Sequence, residues 1–146
     1  MQKEIFEQPQ AIRDTLESRI TKNSVLVDAF GPNAKKVFSK IKQVQIIACG
    51  TSYNAGIVAK YWIEDITKIP CNVEVASEYR YRNPILQDDT LFVTLSQSGE
   101  TADTLEALKT ANKINKNITT TIIGKENPPP NCFQENFVFS SMTGTP

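Results

Sequence analysis

The 146-residue sequence contains no histidine. That absence excludes a Ser-His-Asp triad, a Cys-His pair and every His-ligated metal site. Cysteine is scarce, and Cys49, Cys71 and Cys132 show neither C-x-x-C nor zinc-ligand spacing. An odd set of free cysteines fits a reducing compartment, so the expected location is cytoplasmic and each thiol reads by default as a small buried hydrophobe. Excess charge of one sign is missing as well, since 16 Lys+Arg balance 16 Asp+Glu. A neutral chain lacks the basic footprint of a nucleic-acid binder or a polybasic membrane anchor. No apolar run approaches the roughly 20 residues of a spanning helix. Met1 to Ile5 has no apolar signal-peptide core. The chain is therefore expected to use no metal, no cofactor, no nucleic acid and no membrane. Its length fits one domain, at roughly 100–200 residues each. Such a domain buries roughly 68–70% of its unfolded surface and needs no staple.

What is present reads as alternating strands and helices. Gln8-Pro9 resembles a helix start, and Ile12, Leu16 and Ile20 then recur every fourth residue. Gly31-Pro32-Asn33 breaks the chain before Ala34, Val37, Phe38 and Ile41, which share a helical face. Val44 to Ala48 is short and β-branched, as in a buried strand. Tyr53 to Thr67 carries Ile57, Val58, Tyr61, Trp62 and Ile66 at helical spacing, and Ile69-Pro70 ends it. Cys71 to Ala76 alternates as a strand, and Glu78 to Pro84 follows as a polar and aromatic turn of helix. Leu91 to Leu95 is the clearest strand in the chain. Thr101 to Lys113 is helical, with Leu105, Leu108 and Ala111 facing inward. Thr119 to Ile123 is a fourth strand, the prolines at 128–130 enforce a loop, and Phe137 to Phe139 is a short fifth strand. This order implies parallel β-α-β units in an α/β fold, with helices on both faces of the sheet.

In such sheets ligands bind at the carboxyl ends of strands. Two loops occupy that position. One is Cys49-Gly50-Thr51-Ser52-Tyr53-Asn54 and the other is Ser96-Gln97-Ser98-Gly99-Glu100-Thr101. Both join a strand to a helix, and both hold a glycine that permits a tight turn. The hydroxyls of Thr51, Ser52, Ser96, Ser98 and Thr101, with the Gln97 amide, can bind a phosphate at a helix N-terminus without Lys or Arg. Ser and Thr are equally ordinary N-caps, each worth about 1 kcal/mol to its helix. The loops match neither the P-loop nor the three-glycine dinucleotide fingerprint. Cys49 is either a nucleophile at a helix start or a small packed residue, and the lack of a histidine base favours packing. Glu78 and Glu100 have the chemistry of general bases. Glu100 reads better as a complement to the helix dipole, and Glu78 as a surface partner of Arg80 and Arg82.

These runs resemble the isomerase region of the glucosamine-6-phosphate synthase family. The likeness is carried by Ala48 to Asn54, by Thr94 to Thr104, by Met1 to Pro9 and by Val75 to Arg82. Ser96 to Thr101 matches sugar isomerase (SIS) domains in general. The resemblance implies a flavodoxin-like, three-layer α/β/α sandwich with a five-stranded parallel sheet. It implies that Thr51, Ser52, Ser96, Gln97, Ser98 and Thr101 bind fructose 6-phosphate or glucosamine 6-phosphate, with Cys49 and Gly50 lining the pocket. It also implies a helical segment over residues 1–43 and an SIS domain over 44–146, divergent or truncated after about residue 124. The family's glutaminase domain and second SIS domain have no counterpart here, nor do that second domain's glutamate base, histidine and lysine. The expectation is thus a fragment that binds phosphosugar and catalyses nothing alone, with no catalytic residue and with a homodimer as one assembly. The alternative is a stand-alone SIS module that senses a phosphosugar and regulates a partner.

Overall fold

The computed structural model describes residues 2–31, 33–96, 102–114, 119–124 and 136–140. The helix α1 spans Gln2–Leu16 and holds Pro9 in its interior, so Gln8-Pro9 is not its start. Pro9 has no N–H for the carbonyl one turn back, and α1 can carry that loss because Ile5 is exposed and water reaches it. The helix also stops before Ile20, which forms an isolated bridge with Val25 instead of extending the stripe. Ile12 and Leu16 are 59% and 41% exposed, so this apolar face has no cover among the described residues.

A 3-10 turn at Val27–Phe30 and the short α2, Ala34–Phe38, lead into the sheet. Phe30 and Phe38 meet edge to face at 5.6 Å. The strands are β1 (Gln43–Ala48), β2 (Cys71–Val75), β3 (Thr90–Ser96), β4 (Thr119–Gly124) and β5 (Asn136–Ser140). The helices between them are α3 (Gly50–Thr67), α4 (Ala76–Tyr81) and α5 (Ala102–Ile114). β1 lies between β2 and β3, parallel to both, with Ile46 opposite Val73 and Val93. The backbone of β4 runs parallel to β3, and that of β5 parallel to β4. The α/β fold with a parallel sheet is therefore as expected.

Alternation along β1 divides the core in two. Val44 and Ile46 meet Ala59 and Ile63 of α3 on one face. Ile47 and Phe92 meet Ala76 and Tyr79 of α4 and Ala107, Leu108 and Ala111 of α5 on the other. The α3 stripe read from the sequence mostly faces away from the sheet, with Tyr61, Trp62 and Ile66 66% exposed or more. The sheet side of α3 is instead small at Gly56, where an added Cβ would lie 3.1 Å from Val73 Cγ1 and 3.2 Å from Ile46 Cγ2. Among the described residues, no helix is long and apolar enough to cross a membrane.

Candidate functional site

The chain leaves β1, crosses by α3 to β2 on one side, then crosses by α4 to β3 on the other side of β1. The direction of winding therefore reverses between β1 and β3. A crevice opens at the carboxyl ends of two strands at such a switch point, where α/β sheets bind ligands. Ala48 and Leu95 are register partners there. The loop after Ala48 and the loop after Ser96 consequently start side by side.

The first loop is built for close approach. Cys49 is extended, with φ −128° and ψ 155°, and Gly50 turns the chain at φ +55°, a left-handed value that favours glycine. Among the described residues, an added Cβ at Gly50 meets nothing within 4 Å. The helix α3 begins directly, with Thr51 exposed and Ser52 half-buried on its first turn. Cys49, not Thr51 or Ser52, holds the capping position, and its side chain makes no capping hydrogen bond. The reading of these two hydroxyls as N-caps is therefore not met in α3. Their first-turn position sets them beside unpaired N–H groups at the positive end of the helix dipole.

The second loop is described at its two ends. Ser96 closes β3 with 7% of its surface exposed, and α5 resumes at Ala102. Gln97, Ser98 and Thr101 lie outside the described residues, as do Gly99 and Glu100. In the first turn of α5, Asp103 accepts a hydrogen bond from Arg80 of α4 at 2.9 Å. No local pattern announces this contact, because its partners are 23 residues apart in sequence.

The neighbouring polar groups correct the sequence reading of Glu78. Arg80 pairs with Asp103 and Arg82 with Glu74, while Glu78 is exposed and has neither as an ion-pair partner. Arg82 grips Glu74 through Nε and Nη2, at 2.8 and 2.6 Å, and the buried Gln45 amide donates to the same carboxylate at 3.1 Å. Tyr79 is fully buried against Phe92, and burial pushes its phenol up to about 12. Burial and the nearby Glu64 push the Cys71 thiol up to about 11, which makes it a packed group and not a nucleophile. Cys49 is half-buried, and Cys132 lies outside the described residues. Among the described residues no cluster of acidic and cysteine side chains could hold a metal ion.

Residues 37–129 match the SIS domain family model. Over 114 residues the chain is 60% identical to a glutamine--fructose-6-phosphate aminotransferase [isomerizing] of Pseudomonas putida, covering 78% of this chain and 19% of that protein. The corresponding protein of Vibrio vulnificus is 59% identical over 111 residues, or 76% of this chain and 18% of its own length. The chain thus spans about a fifth of the length of the curated relatives it matches. The C-terminal domain of glucosamine-fructose-6-phosphate aminotransferase from Francisella tularensis superposes with a TM-score of 0.85 at 43% identity, covering 99% of this chain and 40% of that one. Tagatose-6-phosphate ketose/aldose isomerase from Escherichia coli shares the fold, with a TM-score of 0.71 at 18% identity over 95% of this chain and 39% of its own. A parallel sheet with its switch point between β1 and β3, together with a family match over most of its length, makes this chain a member of the SIS domain family.

Proposed function

We propose that the crevice between β1 and β3 binds a phosphosugar, fructose 6-phosphate or glucosamine 6-phosphate. Ser96, Gln97, Ser98 and Thr101 would hold the phosphate. Thr51 and Ser52 would contact the sugar or phosphate from the start of α3, and Cys49 and Gly50 would line the wall. The observation that carries this reading is the start of α3 at the switch point, which has no side-chain cap. Helix N-termini and hydroxyls together suffice for a phosphate dianion without a cation in either loop. The names of the Pseudomonas and Francisella relatives support fructose 6-phosphate as the substrate class.

In this reading residues 44–146 form the SIS domain, a five-stranded, flavodoxin-like three-layer sandwich, with residues 1–43 as a helical segment ahead of it. The parent reaction is amino transfer from glutamine to fructose 6-phosphate with isomerisation to glucosamine 6-phosphate. This chain supplies binding and no catalytic residue. The test is calorimetry of the purified chain with fructose 6-phosphate, beside an assay for glucosamine 6-phosphate. Weak binding without turnover is expected, and Ser98→Ala and Thr101→Ala should each weaken it. Measurable turnover, or binding indifferent to both substitutions, would refute the assignment.

A further inference from the structure

We propose that Arg80 is a positioning residue for the phosphosugar crevice, acting through Asp103 to keep the start of α5 receptive to an anion. This inference rests on the phosphosugar reading. The two loops contain no Lys or Arg, and Asp103 carries negative charge in the first turn of α5. A carboxylate in a first turn favours the helix itself. The same carboxylate repels a dianion arriving at that turn, so an uncompensated Asp103 would work against binding.

Arg80 removes this conflict. It lies on α4, which begins where β2 ends and so stands at the carboxyl edge of the sheet, like the crevice. Its Nη1 reaches Asp103 Oδ1 at 2.9 Å, and its guanidinium lies 5.1 Å from the centre of the Tyr81 ring. Beneath the pair, Ala76 and Tyr79 of α4 pack with Ala107, Leu108 and Ala111 of α5, which holds the two helices in place. Arg80 and Asp103 side chains are 35% and 38% exposed, so the charge effect is open to screening by salt. An arginine stays charged at every working pH, so the compensation does not switch off.

Charge compensation and simple anchoring of α5 predict opposite results. The experiment is calorimetry of the full chain with fructose 6-phosphate, using Arg80→Met, Asp103→Asn, the double variant and Arg80→Lys, with a thermal melt of each. Arg80→Met should weaken binding about threefold to tenfold. Adding Asp103→Asn to it should return affinity to within about twofold of the parent. The Arg80→Met deficit should shrink in about 1 M salt, where the screening length falls to roughly 3 Å. Asp103→Asn alone should bind at least as well as the parent, and it carries the test if Arg80→Met does not fold. Unchanged binding by a folded Arg80→Met, a double variant as weak as Arg80→Met, or weakened binding by Asp103→Asn would each overturn the inference. A parent chain that binds no fructose 6-phosphate would overturn the phosphosugar reading itself, and this one with it. A parent that binds while the variants disobey the pattern overturns only the role of Arg80.

Discussion

Tyr79 places a phenol in the core between α4 and β3, where its hydroxyl finds no hydrogen-bond partner among the described residues. A buried polar group without a partner costs about 1–3 kcal/mol. Tyr79→Phe is therefore expected to preserve or raise the melting temperature, and a clear fall would show that the hydroxyl is engaged. The same burial sets an alkaline limit. Unfolded tyrosine ionises near its ordinary 10.0, whereas Tyr79 holds its proton up to about 12. Cys71 likewise moves from 9.0 to about 11. Between each pair of values the unfolded chain has released a proton that the native chain keeps. Stability from these groups is full below pH 9.0 and falls as pH rises through about 12. Denaturant melts from pH 8 to 12 should show this decline, and Tyr79→Phe should flatten its upper part; a flat parent profile would contradict both shifts. Gly50→Ala forces a side chain to adopt φ +55°, at a cost of roughly 1–2 kcal/mol, although nothing among the described residues blocks the methyl itself. A lower melting temperature is the expected reading.

The helix α3 shows how an element can be legible in place and not in orientation. Its end is readable from the Ile69-Pro70 stop, and its C-cap Lys68 turns at φ 58°, but it begins at Gly50, three residues before the Tyr53 start that the spacing gives. Its orientation is not readable, because two apolar stripes compete. The larger one, with Tyr61, Trp62 and Ile66, is exposed, and the one on the sheet uses Gly56, Ala59 and Ile63. Hydrophobic periodicity weighs large side chains heavily, whereas close approach to a sheet selects small ones. Gly56→Ala tests that account. Overpacking against β-branched Val73 and Ile46 costs about 1–3 kcal/mol, and better helix propensity returns about 1 kcal/mol. A net loss of about 1 kcal/mol by urea titration is expected. A stabilised variant would mean that α3 lifts freely. The start of α1 fails for a different reason, since a proline is tolerated inside a helix where the residue one turn back, Ile5, is exposed. For β3, the run Leu91 to Leu95 is legible because a strand buried on both faces is apolar at nearly every position. The loops after β1 and β3 are equally plain in the sequence. Their adjacency is not, since it depends on strand order, and the Arg80–Asp103 bridge depends on two helices meeting.

At the scale of the whole molecule, exposed apolar surface is concentrated on α1, through Ile5, Phe6 and Ile12, and on α3, through Tyr61, Trp62 and Ile66. Exposed large apolar side chains in such number are the kind of surface that partners cover. Concentration-dependent self-association is the expected behaviour, reduced by Trp62→Asp combined with Ile66→Asp. A strictly monomeric parent in sedimentation would remove the homodimer expectation. The strand order also dictates a sequence of events during synthesis. β1 and β2 with α3 between them form a complete parallel β-α-β unit once the chain has reached Val75, before β3 has been made. β3 must then dock on the free edge of β1, across a long chain separation of the kind that slows folding. The crevice between them does not exist until that docking occurs. A ligand held there would therefore recognise only chains that have grown past β3 and closed on it, which makes binding a report on maturation as well as on chemistry.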